Sequence, residues 1–303
     1  MLFSLDDKQL LVYGSPGTGK SYIIQKTLNL LGFTDDNIIR AVFHQDYTYS
    51  DFVGFIAPSI TSQNTIQYEF TPGPLTTALK KALESNDNVC LLIEELNRGN
   101  AAATFGDTFQ LLDRNSSGAS SYPISNNSVR DYLNHIDSVR DTLNEYGIGD
   151  SDIIIPSNLF IICTMNTADQ NVSPIDTAFK RRFKMRYQPI FFDASNEKIL
   201  KLDTLSSLNV FDTKGTWSTF AQRINNIIDT INNDTQSIPE DKKLAPFFVD
   251  DIDVSCKQSF CDKVIYYLKH DVFKYNEHYF SDSYEDIYNR FVKENNNFFE
   301  LLD

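Results

Sequence analysis

One stretch decides the fold of this chain: Gly14-Ser15-Pro16-Gly17-Thr18-Gly19-Lys20-Ser21. It follows the apolar residues 10–13 and precedes apolar residues at helical spacing, a pattern that predicts a strand, a loop and a helix in that order. Glycines allow backbone N–H groups to approach a polyphosphate closely, and the N-terminus of the following helix favours its negative charge. The stretch therefore predicts a phosphate-binding P-loop.

The residues of the P-loop have separate predicted tasks. Lys20 would reach the β- and γ-phosphates of a bound nucleotide, and the hydroxyl of Ser21 would be a ligand of Mg²⁺. A glycine-rich turn with a chance Lys-Ser pair is the alternative, which the complete pattern and its flanks disfavour. The predicted nucleotide-binding residues are Gly14, Ser15, Pro16, Gly17, Thr18, Gly19, Lys20, Ser21 and Tyr22.

Two acids follow a second strand-like run. Residues 89–93 are all apolar, as is typical of a strand covered on both faces, and the run ends in Glu94 and Glu95. Carboxylates at such a strand end serve metal binding and water activation, so we assign Glu94 to Mg²⁺ and Glu95 to the attacking water. Two adjacent acids on a surface turn are the alternative, which the apolar run before them disfavours.

A third apolar run leads to further polar candidates. Residues 159–163 are followed by Asn166 and Asp169, which would lie at the nucleotide-facing edge of a parallel sheet. Asn166 is predicted to hold the lytic water near the γ-phosphate, and Asp169 is predicted to orient a partner group.

A basic segment comes soon afterwards and contains no acid: Lys180, Arg181, Arg182, Lys184 and Arg186 supply its charge. One interpretation is an arginine finger, Arg181 or Arg182, that reaches the γ-phosphate of a neighbouring subunit. The alternative is a solvated basic helix end.

The composition limits the function classes that remain. The 303 residues include 27 Lys and Arg against 41 Asp and Glu, and the net charge of −14 disfavours a free-standing DNA-binding domain or an anionic membrane surface as partner. Residues 1–7 lack the basic start and apolar stretch of a signal peptide, so we expect a cytoplasmic protein. Cys256 and Cys261 precede His270 and His278 at spacings that do not match a zinc site.

Together these motifs resemble those of the AAA+ NTPases and, more narrowly, of the McrB family, the motor subunits of modification-dependent McrBC restriction systems. The most specific match is the signature Met165-Asn166-Thr167-Ala168-Asp169. Residues 43–53, 94–107 and 176–183 carry further family-like segments, so the resemblance covers about residues 8–190.

The resemblance implies an α/β fold, with an AAA+ P-loop core whose parallel sheet is flanked by helices, and a smaller C-terminal helical lid. It implies a homo-oligomer, a hexameric ring with nucleotide at the subunit interfaces, usually GTP, and an McrC-like nuclease partner through which the complex handles DNA. By resemblance, Asn166 and Asp169 are the sensor and signature residues. Arg181 or Arg182 would complete the site of the next subunit.

Three departures from the family pattern matter. Glu94 stands where the usual motif has Asp, and Gln170 stands where the best-known members have Arg. Few residues precede the first predicted strand, so we expect this chain to lack the N-terminal DNA-reading domain. Much of the usual base-contacting segment would be lost with that domain, and both GTP and ATP therefore stay open.

The chain is predicted to divide near residue 190. We predict a nucleotide-binding core at residues 1–190, with an insert at about 114–157, and a helical lid at residues 191–303. Apolar residues in the insert are spaced as in an amphipathic helix: Val129, Leu133, Ile136 and Leu143. The insert either contacts DNA or the partner, or is a surface elaboration.

The sequence thus favours a Mg²⁺-dependent hydrolase of GTP or ATP that serves as the motor of an McrBC-like DNA restriction or defence complex. One alternative is a MoxR-like ATPase that remodels protein partners. Another is a non-hydrolysing nucleotide-binding scaffold, which the presence of Glu94, Glu95 and Asn166 disfavours.

Overall fold

The computed structural model describes residues 2–60, 62, 64–167, 173–192, 216–235, 238–275, 279–294 and 298. The chain divides into two compact units. The first comprises Met1–Tyr13 and Lys20–Tyr187, and the second comprises Gly14–Gly19 and Gln188–Asp303. Within the described ranges, no helix is long and apolar enough to cross a membrane.

The described residues form nine strands. Their bounds are β1 (Gln9–Gly14), β2 (Ile38–Val42), β3 (Gly54–Ile60), β4 (Ile66–Pro72), β5 (Val89–Glu94), β6 (Ile124–Ser125), β7 (Asp152–Ile153), β8 (Leu159–Asn166) and β9 (Lys184–Tyr187). Five of them make one sheet in the order β2-β5-β8-β1-β9, while β3 pairs with β4 and β6 pairs with β7.

The five-strand sheet is parallel, and its three inner strands β5, β8 and β1 are buried on both faces, as the apolar runs predict. Leu91 in β5 is level with Ile39 in β2 and with Ile161 in β8. Leu91 and Ile161 belong to one apolar cluster, whereas their neighbours Leu92 and Ile162 belong to another on the opposite face. Alternate side chains thus point to opposite faces, and the predicted α/β fold class is confirmed.

Seven helices belong to the first unit as far as it is described. They are α1 (Lys20–Leu30), α2 (Tyr49–Val53), α3 (Pro74–Glu84), α4 (Ala101–Phe105), α5 (Asn127–Asn134), α6 (Asp137–Glu145) and α7 (Thr177–Lys180). Short 3₁₀ turns add Asp35–Asn37, Leu96–Arg98 and Gly106–Leu112.

The helical spacing in the predicted insert is divided between two helices. Val129 and Leu133 are buried on α5, and Leu143 is buried on α6. Ile136 lies between them with extended backbone angles, φ −111° and ψ 112°, because it is the N-cap residue of α6. A single helix through this segment is therefore the wrong interpretation of the spacing.

The β3–β4 hairpin is amphipathic. Its antiparallel register pairs Ile56 with Phe70 and Ile60 with Ile66, so these residues share one face. Ile60 and Ile66 are 74% and 72% exposed, whereas Phe70 packs its ring against Tyr132 at 5.5 Å between centroids. The free end of the hairpin thus presents apolar side chains to solvent.

The second unit, where it is described beyond the P-loop, is helical. Its helices are α8 (Trp217–Thr235), α9 (Asp251–Ser255), α10 (Lys257–Phe260) and α11 (Tyr284–Tyr288). A 3₁₀ turn covers Glu240–Lys242, and π-helical segments cover Cys261–Ile265, Leu268–Val272 and Asn289–Lys293. Phe220 on α8 and Phe260 on α10 meet in its core, with ring centroids 5.3 Å apart. The predicted boundary at residue 190 stays a prediction.

Candidate functional site

The P-loop is held in a conformation that suits only glycine at two positions. Gly17 and Gly19 have φ angles of +74° and +82°. A Cβ on Gly17 would lie 2.9 Å from the backbone nitrogen of Phe248, and one on Gly19 would lie 2.7 Å from a ring carbon of Phe247. The amide of Phe247 also donates to the carbonyl of Gly17 at 2.9 Å. A side chain at either glycine would therefore strain or displace the loop.

The first residue of α1 reaches the ends of the central strands. Lys20 is buried, and its Nζ donates to Oδ1 of Asn166 at 2.7 Å. The Nδ2 of Asn166 in turn lies 2.9 Å from each carboxylate oxygen of Glu95. The amide of Asn166 thus connects a cation and a carboxylate, and we call these three residues the Lys20–Asn166–Glu95 cluster.

Glu95 is placed with unusual backbone angles. It follows β5 in the left-handed region, with φ 56° and ψ 41°, which costs a non-glycine residue on the order of 1 kcal/mol. Its amide donates to Oγ1 of Thr164 at 3.3 Å, and the Nε of Arg98 donates to its carboxylate at 3.1 Å. Contacts from β8 and from the turn after β5 therefore fix the direction of the carboxylate.

Glu94 faces a different neighbour. Its carboxylate lies 3.8 Å from the guanidinium of Arg40, because β2 runs beside β5 with Val42 level with Glu94. Ser21 is exposed at the start of α1, and in the described part of the chain no hydrogen bond joins it to Glu94. A hydroxyl and a carboxylate are hard oxygen donors that fit Mg²⁺, so these two side chains have suitable chemistry for the predicted metal ligands.

The two candidate arginines lie at the opposite end of the sheet. They precede β9, whose first residue, Lys184, is level with Leu10 in β1. Arg182 pairs with Asp113 at 2.6 Å, and its guanidinium stacks over the ring of Phe109 at 4.1 Å. Arg181 is exposed, and no described residue forms a hydrogen bond or ion pair with its side chain. Arg182 is therefore a tethered arginine, whereas Arg181 is an available one.

The length of the strands keeps Arg181 away from the cluster in its own subunit. A strand of six residues, such as β5, spans about 20 Å. Glu95 and Asn166 lie at the carboxyl ends of their strands, whereas Arg181 lies beyond the amino end of β9. Arg181 also lines an open cavity of about 810 Å³ at that end, together with Lys8 and Lys184.

Comparison with known proteins identifies the family. A model of the AAA domain (dynein-related subfamily) matches residues 9–183. The chain belongs to this AAA domain family. The component YdiS of the type II restriction enzyme BsuMI from Bacillus subtilis (strain 168) is 38% identical over 292 residues, which cover 88% of this chain and 79% of YdiS. The McrB-like resemblance of the motifs is thereby confirmed.

More distant matches cover less of this AAA protein. The EcoKMcrB subunit of the type IV methyl-directed restriction enzyme from Escherichia coli (strain K12) is 27% identical over 181 residues, 58% of this chain and 34% of that subunit. The crystal structure of a putative ATPase from Cytophaga hutchinsonii is 16% identical in sequence. The match covers 67% of this chain and 47% of the other chain, with a TM-score of 0.39. This structural similarity is too low to add to the family assignment. The chain spans about a third of the EcoKMcrB subunit.

The structure brings together some of the residues predicted for this AAA protein and not others. Lys20, Asn166 and Glu95 meet, whereas Glu94 contacts Arg40 and the two arginines lie at the other end of the sheet. Tyr22 is 62% exposed on α1. Asp169 and Gln170 lie outside the described residues.

Two polar residues of the site, Asn97 and Arg98, are not among those to which the sequence assigns a role. Asn97 is buried, and its Nδ2 donates to the carbonyl of Asn166 at 2.6 Å. Arg98 contacts Glu95 through the same 3₁₀ turn. Both lie shortly after the acidic pair in the family-like segment, so their position in the sequence could have marked them as site residues. The direction of their side chains depends on the 3₁₀ turn, which the sequence does not show.

Proposed function

We propose that this AAA protein hydrolyses GTP or ATP with Mg²⁺ and serves as the motor subunit of an McrBC-like DNA restriction complex. The Lys20–Asn166–Glu95 cluster is the observation that carries the proposal, because it joins a P-loop lysine to an oriented carboxylate. A carboxylate positioned in this way is suited to orient and deprotonate water. The restriction components among the relatives support the place of the chain in a restriction system.

The residues have distinct proposed roles in hydrolysis. The P-loop and Lys20 bind the triphosphate, and Glu95 takes a proton from the attacking water. Asn166 holds that water and keeps the carboxylate of Glu95 aimed at it. Ser21 and Glu94 would hold Mg²⁺, which when bound neutralises charge on the phosphates. Asp169 keeps its proposed task of orienting a partner group.

The position of Arg181 supports an assembly of several subunits. It lies too far from the cluster of its own chain, so a finger role requires a neighbouring copy in a head-to-tail arrangement. We propose a homo-oligomeric ring, a hexamer by family resemblance, with an McrC-like nuclease as partner. The net charge of −14 agrees with DNA being engaged through the complex rather than by this chain alone.

The test is turnover of GTP and of ATP by the purified protein, with and without a nuclease partner. Glu95→Gln should keep nucleotide binding while turnover falls by at least about 100-fold, because the general base is lost. The matched control is Glu84→Gln, which removes a carboxylate that pairs with Lys80 at 3.6 Å on the surface of α3. That variant should hydrolyse as the wild type does.

Two outcomes would contradict the proposal. Turnover that survives in Glu95→Gln would remove Glu95 from its role. A wild-type protein that binds nucleotide and forms rings, yet hydrolyses neither GTP nor ATP with or without the nuclease, would favour the scaffold function instead.

A further inference from the structure

A buried amide connects three chain segments at the amino end of the sheet. Gln9, the first residue of β1, is 7% exposed. Its Nε2 donates to the carbonyl of Leu112 at 3.0 Å and to the carbonyl of Arg182 at 2.7 Å. Both amide hydrogens of this side chain are thus used, and the segment before β9 is bonded to the start of β1.

Arg114 fixes the orientation of this amide. Its Nε donates to Oε1 of Gln9, and its other nitrogens donate to three backbone carbonyls, those of Gly118 at 2.9 Å, Pro156 at 3.1 Å and Leu159 at 2.9 Å. Burial lowers the pKa of Arg114 to about 9, which leaves the guanidinium cationic at pH 7. A planar group with four uncharged acceptors has one orientation, so the amide of Gln9 has one as well.

The backbone on both sides of Arg181 is held, while its side chain is not. The amide of Arg181 donates to the carbonyl of Thr177 at 3.0 Å, and the next residue, Arg182, is held at its carbonyl by Gln9 and at its guanidinium by Asp113. β9 pairs with β1 over Lys184–Tyr187, and the rings of Phe179 and Phe183 are buried in the core of the unit, so the segment is held on both sides of Arg181. The bond from Gln9 adds a side-chain contact that holds the backbone directly after Arg181.

We propose that Gln9 and Arg114 are positioning residues that hold the chain around Arg181 at the place and angle needed to reach a nucleotide in a neighbouring subunit. The inference rests on the proposed function and adds two residues that act through Arg181. It also gives Arg182 the task of anchoring the segment rather than touching phosphate. Misplacement of a catalytic group by about 1 Å can cost as much as about 100-fold in rate, so such anchoring has a measurable consequence.

The test compares Gln9→Met with Asn158→Leu. Each replaces an amide by an apolar side chain of similar size at the amino end of the sheet. Asn158 donates to the carbonyls of Ala82, Ser85 and Asp87, so it holds the loop before β5 and not the Arg181 segment. Hydrogen–deuterium exchange of residues 178–186 and the kinetic constants of hydrolysis are measured for both variants.

Gln9→Met should exchange faster over residues 178–186 and should lose about 10-fold in kcat with KM unchanged. Mixing it with Lys20→Ala subunits should restore part of the rate, because the partner supplies a well-placed Arg181. Asn158→Leu should show faster exchange only near residues 82–88 and a normal kcat. Gln9→Asn keeps a buried amide but is too short to bridge both carbonyls, so it should behave like Gln9→Met. It replaces Gln9→Met in the test if that variant does not fold.

Two results would overturn the inference alone: unchanged exchange over residues 178–186 in the Gln9 variants, or faster exchange with normal kcat. A wild type without any turnover would instead overturn the proposed function and this inference together. The two failures are therefore distinguishable.

Discussion

The two ends of the parallel sheet in the first unit are built differently. At the carboxyl end, Asn166 bonds to both Lys20 and Glu95, so one amide already contacts a cation and a carboxylate of the same subunit. At the amino end, Arg182 is fixed by Asp113, whereas Arg181 beside it is exposed. The charged groups of the cluster at the carboxyl end thus have partners within the subunit, whereas the amino end presents the Arg181 cation to solvent.

This difference supports the proposal that each subunit carries two halves of a site rather than one complete site. At the carboxyl end, Arg98 and Arg40 already contact Glu95 and Glu94, and Arg181 of the same chain cannot reach this end because the strands lie between them. At the amino end, Arg181 has no acidic partner among the described residues. Two copies placed head to tail would bring the halves together.

The largest effect is expected from Arg181→Ala. Loss of an arginine that stabilises the transition state should lower kcat by about 1000-fold, while the thermal unfolding temperature stays unchanged. Steady-state kinetics and a thermal melt measure both. Arg140→Ala is the control, because Arg140 is exposed on α6 and pairs there with Asp137 and Asp141. A normal kcat in Arg181→Ala would show that Arg181 at the amino end takes no part in hydrolysis, and would contradict its proposed role as the second half of the site.

A somewhat smaller effect is expected from Asn166→Ala at the carboxyl end. The bridge between Lys20 and Glu95 would be lost, and kcat should fall by about 100-fold as for other oriented donors. Asn158→Ala, at the other end of β8, removes an amide of the same kind and should change only stability. Equal loss of turnover in the two variants would mean that the carboxyl-end amide has no special role.

Arg182→Ala should act on stability. It removes the partner of Asp113 and the guanidinium that packs on Phe109, and it should cost about 1–2 kcal/mol of unfolding free energy, since the pair is partly exposed. Denaturant unfolding measures the loss, and Arg181→Ala should stay within about 0.5 kcal/mol of the wild type. A larger loss of unfolding free energy in Arg181→Ala than in Arg182→Ala would contradict the assignment of Arg182 as the tethered arginine and Arg181 as the available one.

Acidification gives the smallest expected effect. Burial raises the pKa of the Asp7 carboxyl, but hydrogen bonds from Lys184 and from the amide of Ser4, with the charges of Lys184 and Arg186, lower it more, so the net pKa lies below its ordinary value. Its contribution to stability is therefore present above the unfolded-state pKa of about 4 and is lost as the pH falls through the lower folded-state pKa.

The measurement is thermal unfolding across a pH series. Below about pH 4 the wild type should lose stability more steeply than Asp7→Asn, by less than about 1 kcal/mol because Lys184 is half exposed. Asp6→Asn removes the exposed neighbouring carboxylate and should follow the wild type. Parallel slopes for all three proteins would show that the anchor between Asp7 and Lys184 adds no pH-dependent stability.

Local patterns predicted the central strands and the contents of the carboxyl end. The apolar runs at residues 89–93 and 159–163 are long enough to identify strands buried on both faces, and the polar residues after them meet because parallel strands end at one edge. The P-loop is equally local, since its glycines and the following helix stand in one continuous stretch.

The remaining features depend on which strands are neighbours. Arg40 meets Glu94 only because β2 lies beside β5, and Gln9 reaches the carbonyl of Arg182 only because β9 lies beside β1. Arg181 and Arg182 are adjacent and chemically identical, so their different fates are set by the position of Asp113, far away in the chain. No single-sequence pattern carries that information.

The two ends of the sheet are proposed to form one site between two subunits, and mixing two inactive variants tests this proposal most directly. Lys20→Ala subunits keep Arg181, and Arg181→Ala subunits keep the cluster. Equal mixing should restore about a quarter of the wild-type rate, since about one head-to-tail interface in four then joins two intact halves. Mixed rings that demonstrably contain both variants and still hydrolyse no nucleotide would contradict the account.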